Sequence, residues 1–195
     1  MNSLFIHQNF PGQFRHLAGH LAANPQNRVV AICQPRAPRH PSVPNTLVYT
    51  PSRKPAPATH HYLRSLEEGV LNGQAVAKLL LKLKTDGFVP DIIIAHPGWG
   101  EALYVKDIYP DTPLLSHFEF YYHAEGADAN FDPEYPLSLD GRTRIRTRNA
   151  LHLLNLETWK PAMPASAPHN GKSNCIHRPT ITKSPRYMKA LIPAS

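Results

Sequence analysis

At 195 residues the chain is long enough for one α/β core with a remainder. It has no apolar run of about eighteen residues, and residues 1–25 lack a basic segment leading into an apolar one, so neither a transmembrane helix nor a secretory signal is expected. The net charge of +7 would suit nucleic acid, but residues 158–195 hold six basic and no acidic side chains, which leaves residues 1–157 one charge from neutral. A basic folded face is therefore not expected, and nucleic acid is not an expected partner.

Residues 2–7 read as a first strand, with Leu4-Phe5-Ile6 at its centre. The turn His7-Gln8-Asn9-Phe10-Pro11-Gly12 leads into a helix over about 12–23, whose Phe14, Leu17, Leu21 and Ala22 would face the sheet. Arg28–Ile32 is a second buried strand. A loop rich in proline and arginine follows, and Thr46–Tyr49 is a third strand. Beyond the proline-rich connection at 51–59, one long helix is predicted over about 60–85, with Val70, Ala75, Leu79, Leu80 and Leu83 apolar and Lys78, Lys82 and Lys84 solvated.

Residues 91–95 form the most telling strand. Ile92-Ile93-Ile94-Ala95 is a short apolar run, as in a strand buried on both faces of a parallel sheet. His96-Pro97-Gly98-Trp99-Gly100-Glu101 ends it and opens a helix from Glu101 to about Ile108. A fifth strand, Pro113–Ser116, runs into the aromatic stretch Phe118-Glu119-Phe120-Tyr121-Tyr122. Residues 124–136 are an irregular acidic loop, and Ser138 or Asp140 would cap a last helix reaching about Glu157. Alternating strands and helices predict an α/β fold with a Rossmann-like, doubly wound parallel sheet.

The turns after strands one and four place polar groups at strand carboxyl ends and helix starts, where open α/β sheets bind ligands. The first βα turn contains only Gly12, so the G-x-G-x-x-G dinucleotide fingerprint is absent and an NAD-dependent dehydrogenase is not expected. Twelve histidines are present, and no metal site is expected. Cys33 and Cys175 are far apart, which fits a reduced, cytoplasmic protein.

The strings FIHQNFPGQFRHLA (5–18), GQAVAKLLLKLKTDGFVPDIIIAHPGWGEALYVKD (73–107) and FEFYYHAEGADANFDPEYPLS (118–138) resemble the N-terminal domain of family 4 glycosyltransferases. The resemblance covers about residues 1–157. It implies the N-terminal half of a two-domain GT-B fold and retaining transfer of a sugar from a nucleotide-sugar donor to a sugar or glycan acceptor. It also implies that this domain mostly holds the acceptor, that a second domain holds the donor nucleotide, and that no metal or other cofactor is required. Carried over by position, Phe10, Pro11, Gly12 and Gln13 correspond to the loop that meets the donor diphosphate. His96, Gly98, Trp99, Gly100 and Glu101 would line the acceptor side, and the aromatic faces of Tyr121 and Tyr122 would stack on sugar. Glu119 stands where many relatives carry a catalytic histidine, here flanked by His117 and His123. Peripheral membrane contact is compatible with this reading. The alternative from another class is a non-catalytic Rossmann-like binding module that needs a partner domain.

After Glu157 the chain changes character: six prolines, no acidic residue and no sustained periodicity. Composition predicts a disordered basic tail over 158–195 rather than a domain. Asn155-Leu156-Glu157-Thr158-Trp159-Lys160 can be encoded as AAC CTG GA repeated in tandem and followed by AG. Such a duplication would shift the reading frame. The shifted frame permits LEACDAGISPTQWQKQLHP and ITAIHEGIDTS, which resemble the continuation of family members into their second domain. The expectation is a truncated acceptor-side domain, inactive alone, because catalysis requires donor and acceptor held in one cleft.

Overall fold

Alternate residues of each central strand point to opposite faces of one sheet, and each face buries its own core. Leu4, Ile6, Val30, Ile32, Ile93 and Ala95 pack on one side, while Phe5, Val29, Ala31, Cys33 and Ile94 pack on the other. Strands apolar on both faces must be covered on both, and this condition selects a parallel sheet with helices on either side. The computed structural model describes residues 1–119, 121–126 and 129–157. The expected disordered tail lies outside the described residues, as does Phe120.

Among the described residues the sheet contains β1 (Asn2–Ile6), β2 (Arg28–Cys33), β3 (Thr46–Val48), β4 (Ile92–Ala95) and β5 (Leu114–Ser116). Their order is β3-β2-β1-β4-β5, with every pairing parallel. The chain works outward from β1 to β3, then returns beside β1 to lay down β4. The carboxyl ends of β1 and β4 thus form the switch point where open α/β sheets leave a ligand crevice.

Helix α1 (Arg15–Ala22) covers one face, entered through a single 3-10 turn at Gly12–Phe14. Phe14 of that turn and Ala18 of the helix are buried, Leu21 and Ala22 pack against the same core, and Leu17, expected to face the sheet, is 41% exposed. The 3-10 turn, with its tighter winding, resets the phase that an unbroken helix from residue 12 would have had. Helix α2 (Arg64–Thr85) covers the other face with Val76, Leu80 and Leu83, and it begins a few residues later than its apolar pattern suggests. Residues 101–104 are turns, and only Val105–Ile108 forms helix α3.

The last predicted helix is broken at Asn149 into α4 (Leu139–Arg148) and α5 (Ala150–Glu157). Of the two candidate caps, Ser138 fills the role: its hydroxyl accepts the Gly141 N–H at 3.1 Å. Beyond His117, residues 118 and 119 leave the sheet instead of prolonging β5.

Candidate functional site at the switch point

Register alone assembles the centre of the site. Ile6 pairs with Ala95, and Ala95 pairs with Ser116. The next residue of each strand is a histidine, so His7, His96 and His117 stand in a row across the carboxyl ends of β1, β4 and β5. Their backbone N–H groups still close the ladder, to Ile32, Ile6 and Ala95 respectively. The ring centroids of His7 and His96 are 5.3 Å apart, and those of His96 and His117 are 6.0 Å apart. Trp99 stacks on His96 at 4.2 Å and meets His7 edge-on at 5.4 Å.

Hydrogen bonding fixes the tautomers of the two buried rings. The Asn9 N–H donates to His7 Nδ1 at 2.9 Å, so His7 Nε2–H donates to Gln13 Oε1 at 2.6 Å. The Gly98 N–H donates to His96 Nδ1 at 3.1 Å, and His96 Nε2–H donates to Glu119 Oε2 at 3.2 Å. Burial lowers the proton affinity of both imidazoles. His96, only 3% exposed, is brought down to about 4 by burial and then by its neighbour His7, against the opposing pull of Glu119. Both rings are therefore neutral donors near pH 7. Glu119 reaches the crevice with its side chain one-third exposed.

The glycines of the two turns are explained by contacts within the site. Gly12 has φ +45°, and a Cβ there would lie 2.5 Å from the His7 ring. A Cβ on Gly98 would lie 2.7 Å from the His96 ring, and one on Gly100, with φ +90°, would lie 2.2 Å from the Gly69 carbonyl of α2. The Phe10–Gln13 loop contains a cis Phe10-Pro11 peptide bond. It is anchored by Phe10, wholly buried with its ring centroid 5.9 Å from that of Phe5, while Gly12 and Gln13 face solvent.

The residues anticipated from sequence separate into three groups. Gln13, His96, Trp99 and Glu119 converge on the crevice. Gly100 and Glu101 lie behind it: Glu101 is 1% exposed, and its Oε1 accepts the Tyr49 hydroxyl at 2.5 Å. Tyr121 and Tyr122 line a different space, an open groove of about 460 Å³ against α4. Sequence reasoning did not single out His7 as a site residue. The available signal was a histidine directly after each of three short apolar runs.

Among the described residues no group of three or more histidines, cysteines or carboxylates is placed to hold a metal ion, and no helix is long and apolar enough to cross a membrane. Fold and geometry define a Rossmann-like α/β domain that gathers neutral imidazoles, an indole and a carboxylate at its switch point. The chain belongs to glycosyl transferase family 4: the profile described as the glycosyl transferase family 4 group matches residues 25–168, about three quarters of its length. None of the curated proteins compared with it matches. Membership brings sugar donors and acceptors as substrates, and the all-parallel sheet agrees with the fold expected from the resemblance.

Proposed function

We propose that the crevice between β1 and β4 is where a sugar passes from a nucleotide-sugar donor to an acceptor hydroxyl with retention at the anomeric carbon. The observation that supports this most directly is the Glu119–His96 hydrogen bond inside a family 4 domain. Breaking the bond between anomeric carbon and diphosphate builds positive charge on the sugar ring, which a carboxylate fixed beside it stabilises. His96 suits the positioning role because it is neutral: it orients Glu119 by donating a hydrogen bond without cancelling its charge. Gln13 has its carbonyl engaged by His7 Nε2–H, which leaves its amide NH₂ to donate to a donor phosphate oxygen. His96 and Trp99 form the acceptor wall.

The same proposal assigns the donor nucleotide to a second domain, makes the 195-residue chain inactive by itself and treats 158–195 as an out-of-frame tail. Its support is the abrupt compositional change after Glu157 and the encodable tandem repeat across 155–160. A cytoplasmic location rests on the free, buried Cys33 and the absence of a membrane-spanning helix among the described residues.

The test is steady-state kinetics across a nucleotide-sugar panel, with this chain and with the downstream frame restored by deleting one copy of the repeat. The restored protein should turn over a nucleotide sugar without added metal, and Glu119→Gln should lower kcat about a hundredfold with little change in donor KM. Coding DNA whose synonymous codons break the repeat would remove the frameshift. Unchanged turnover in the Glu119 variant would take that residue out of the chemistry, and a restored protein that binds sugars without transfer would favour the binding module.

A further inference from the structure

The three imidazoles of the row are unequal. His7 and His96 are buried, and each has both ring nitrogens engaged, Nδ1 by a backbone N–H of its own turn and Nε2 by Gln13 or Glu119. His117 is exposed, and among the described residues neither of its ring nitrogens has a hydrogen-bond partner. Its place is fixed all the same. The His117 backbone N–H donates to the Ala95 carbonyl at 2.8 Å, and the imidazole meets the rings of Phe14 and His96, each at 6.0 Å. Phe14 directly follows Gln13, so His117 links the Gln13 turn to the His96–Trp99 wall. Charge divides the same way. Burial keeps His7 and His96 neutral, and a positive charge on His117 lowers the proton affinity of both further. Such a row can hold one proton, on the ring that solvent reaches.

We propose that His117 is the anion-binding residue of the crevice: an oxygen of the donor diphosphate seats against its ring, and the ring takes up one proton from solvent as this happens. A neighbouring anion raises the proton affinity of an imidazole, and the imidazolium then donates a charge-assisted N–H bond. Gln13 adds a neutral donor next to Phe14, since His7 engages its carbonyl and leaves its NH₂ to donate. Glu119, two residues on, serves the opposite charge. As the bond between anomeric carbon and diphosphate breaks, its electron pair stays on the diphosphate, where His117 meets it, while the positive charge left on the sugar faces Glu119. Among the described residues, the titratable groups around His117 are His96 and His7 from the ends of β4 and β1 and Glu119 from the segment after β5; Phe14, from the turn before α1, brings none. The assignment rests on the glycosyltransferase reading of this domain, but its test measures binding and needs no turnover.

The experiment titrates the full chain, carrying isotope-labelled histidine, with UDP-glucose, sulfate and glucose between pH 5.5 and 8.5. NMR follows the His117 ring, whose signal is assigned by its loss in His117→Gln. Neither the UDP-glucose diphosphate nor sulfate titrates in this range, so a pH dependence of binding belongs to the protein. UDP-glucose should raise the midpoint of the His117 titration by about one pH unit and bind about tenfold more tightly at pH 5.5 than at pH 8.5. Sulfate should move the same ring more weakly, and glucose should leave it in place. His117→Gln keeps an N–H donor without the charge, and its affinity should stay at the high-pH level throughout. His20→Gln, at the far end of α1, should behave as wild type. An unmoved His117 ring, equal affinity at both ends of the pH range, or a His117→Gln variant that keeps the pH dependence would overturn the proposal. Anion-linked titration of His117 without transfer in the restored protein would refute the glycosyltransferase reading while leaving this anion site standing. Transfer whose donor KM keeps its wild-type pH dependence in His117→Gln would do the reverse.

Discussion

Replacing Glu101 with glutamine should change how stability depends on pH, because that carboxyl is buried against the sheet. Its Oε1 accepts the Tyr49 hydroxyl, its Oε2 has no hydrogen-bond partner among the described residues, and burial raises its pKa from 4.5 to about 7. At about 1.4 kcal/mol per tenfold change in proton affinity, this difference makes ionisation in the folded protein cost about 3 kcal/mol relative to the unfolded chain. The raised pKa sets the sign. The stabilisation is fully present below about pH 4.5, is lost as the unfolded chain alone gives up its proton, and is gone once the pH passes about 7. Glutamine keeps a carbonyl for Tyr49 and cannot ionise, but it buries an amide N–H costing about 1–2 kcal/mol. Urea unfolding between pH 4.5 and 8 should therefore show the stability difference, Glu101→Gln minus wild type, rising by about 3 kcal/mol in favour of the variant. Parallel curves for the two proteins would refute the argument that Glu101 is protonated in the folded state around neutral pH.

His96 should act with the opposite sign. Its folded pKa of about 4 lies below the ordinary 6.5, so its stabilisation is present above 6.5 and is lost as the pH falls toward 4. In His96→Asn that acid sensitivity should diminish, as read from the same urea series. Gly100→Ala forces a Cβ to within 2.2 Å of the Gly69 carbonyl at φ +90°, with backbone on both sides and no side chain free to yield. It should cost roughly 3 kcal/mol, seen as a fall in Tm of many degrees, and a silent substitution would mean that the α2 contact is looser than described.

The parallel sheet and its burial on both faces follow from residues whose pattern is local. Ile92–Ala95 has one reading, and Leu4-Phe5-Ile6 followed by a turn and an amphipathic run has one connection. Tertiary features escaped the sequence reading. The break at Asn149 was hidden because apolar spacing continues through it, and it exists because that side chain turns away to clamp Tyr122. Glu101 looked like a crevice residue from its place at the start of a helix. Sequence does not say which side of a four-residue turn faces inward, and Tyr49, 52 positions away, supplies the reason it does. The histidine row needed the strand register, which no single strand reveals.

The contact between Gly100 and α2 bears on how the crevice can move. Asn72 of α2 donates to the Trp99 carbonyl at 3.0 Å, Asn155 of α5 donates to the Pro97 carbonyl at 3.4 Å, and the Gly69 backbone lies where a Cβ of Gly100 would point. The His96–Trp99 wall is thereby clamped between two helices and cannot swing as a flap. On the other side of the histidine row, the Gly12–Gln13 turn faces solvent and is tied to the row by the His7–Gln13 hydrogen bond at 2.6 Å.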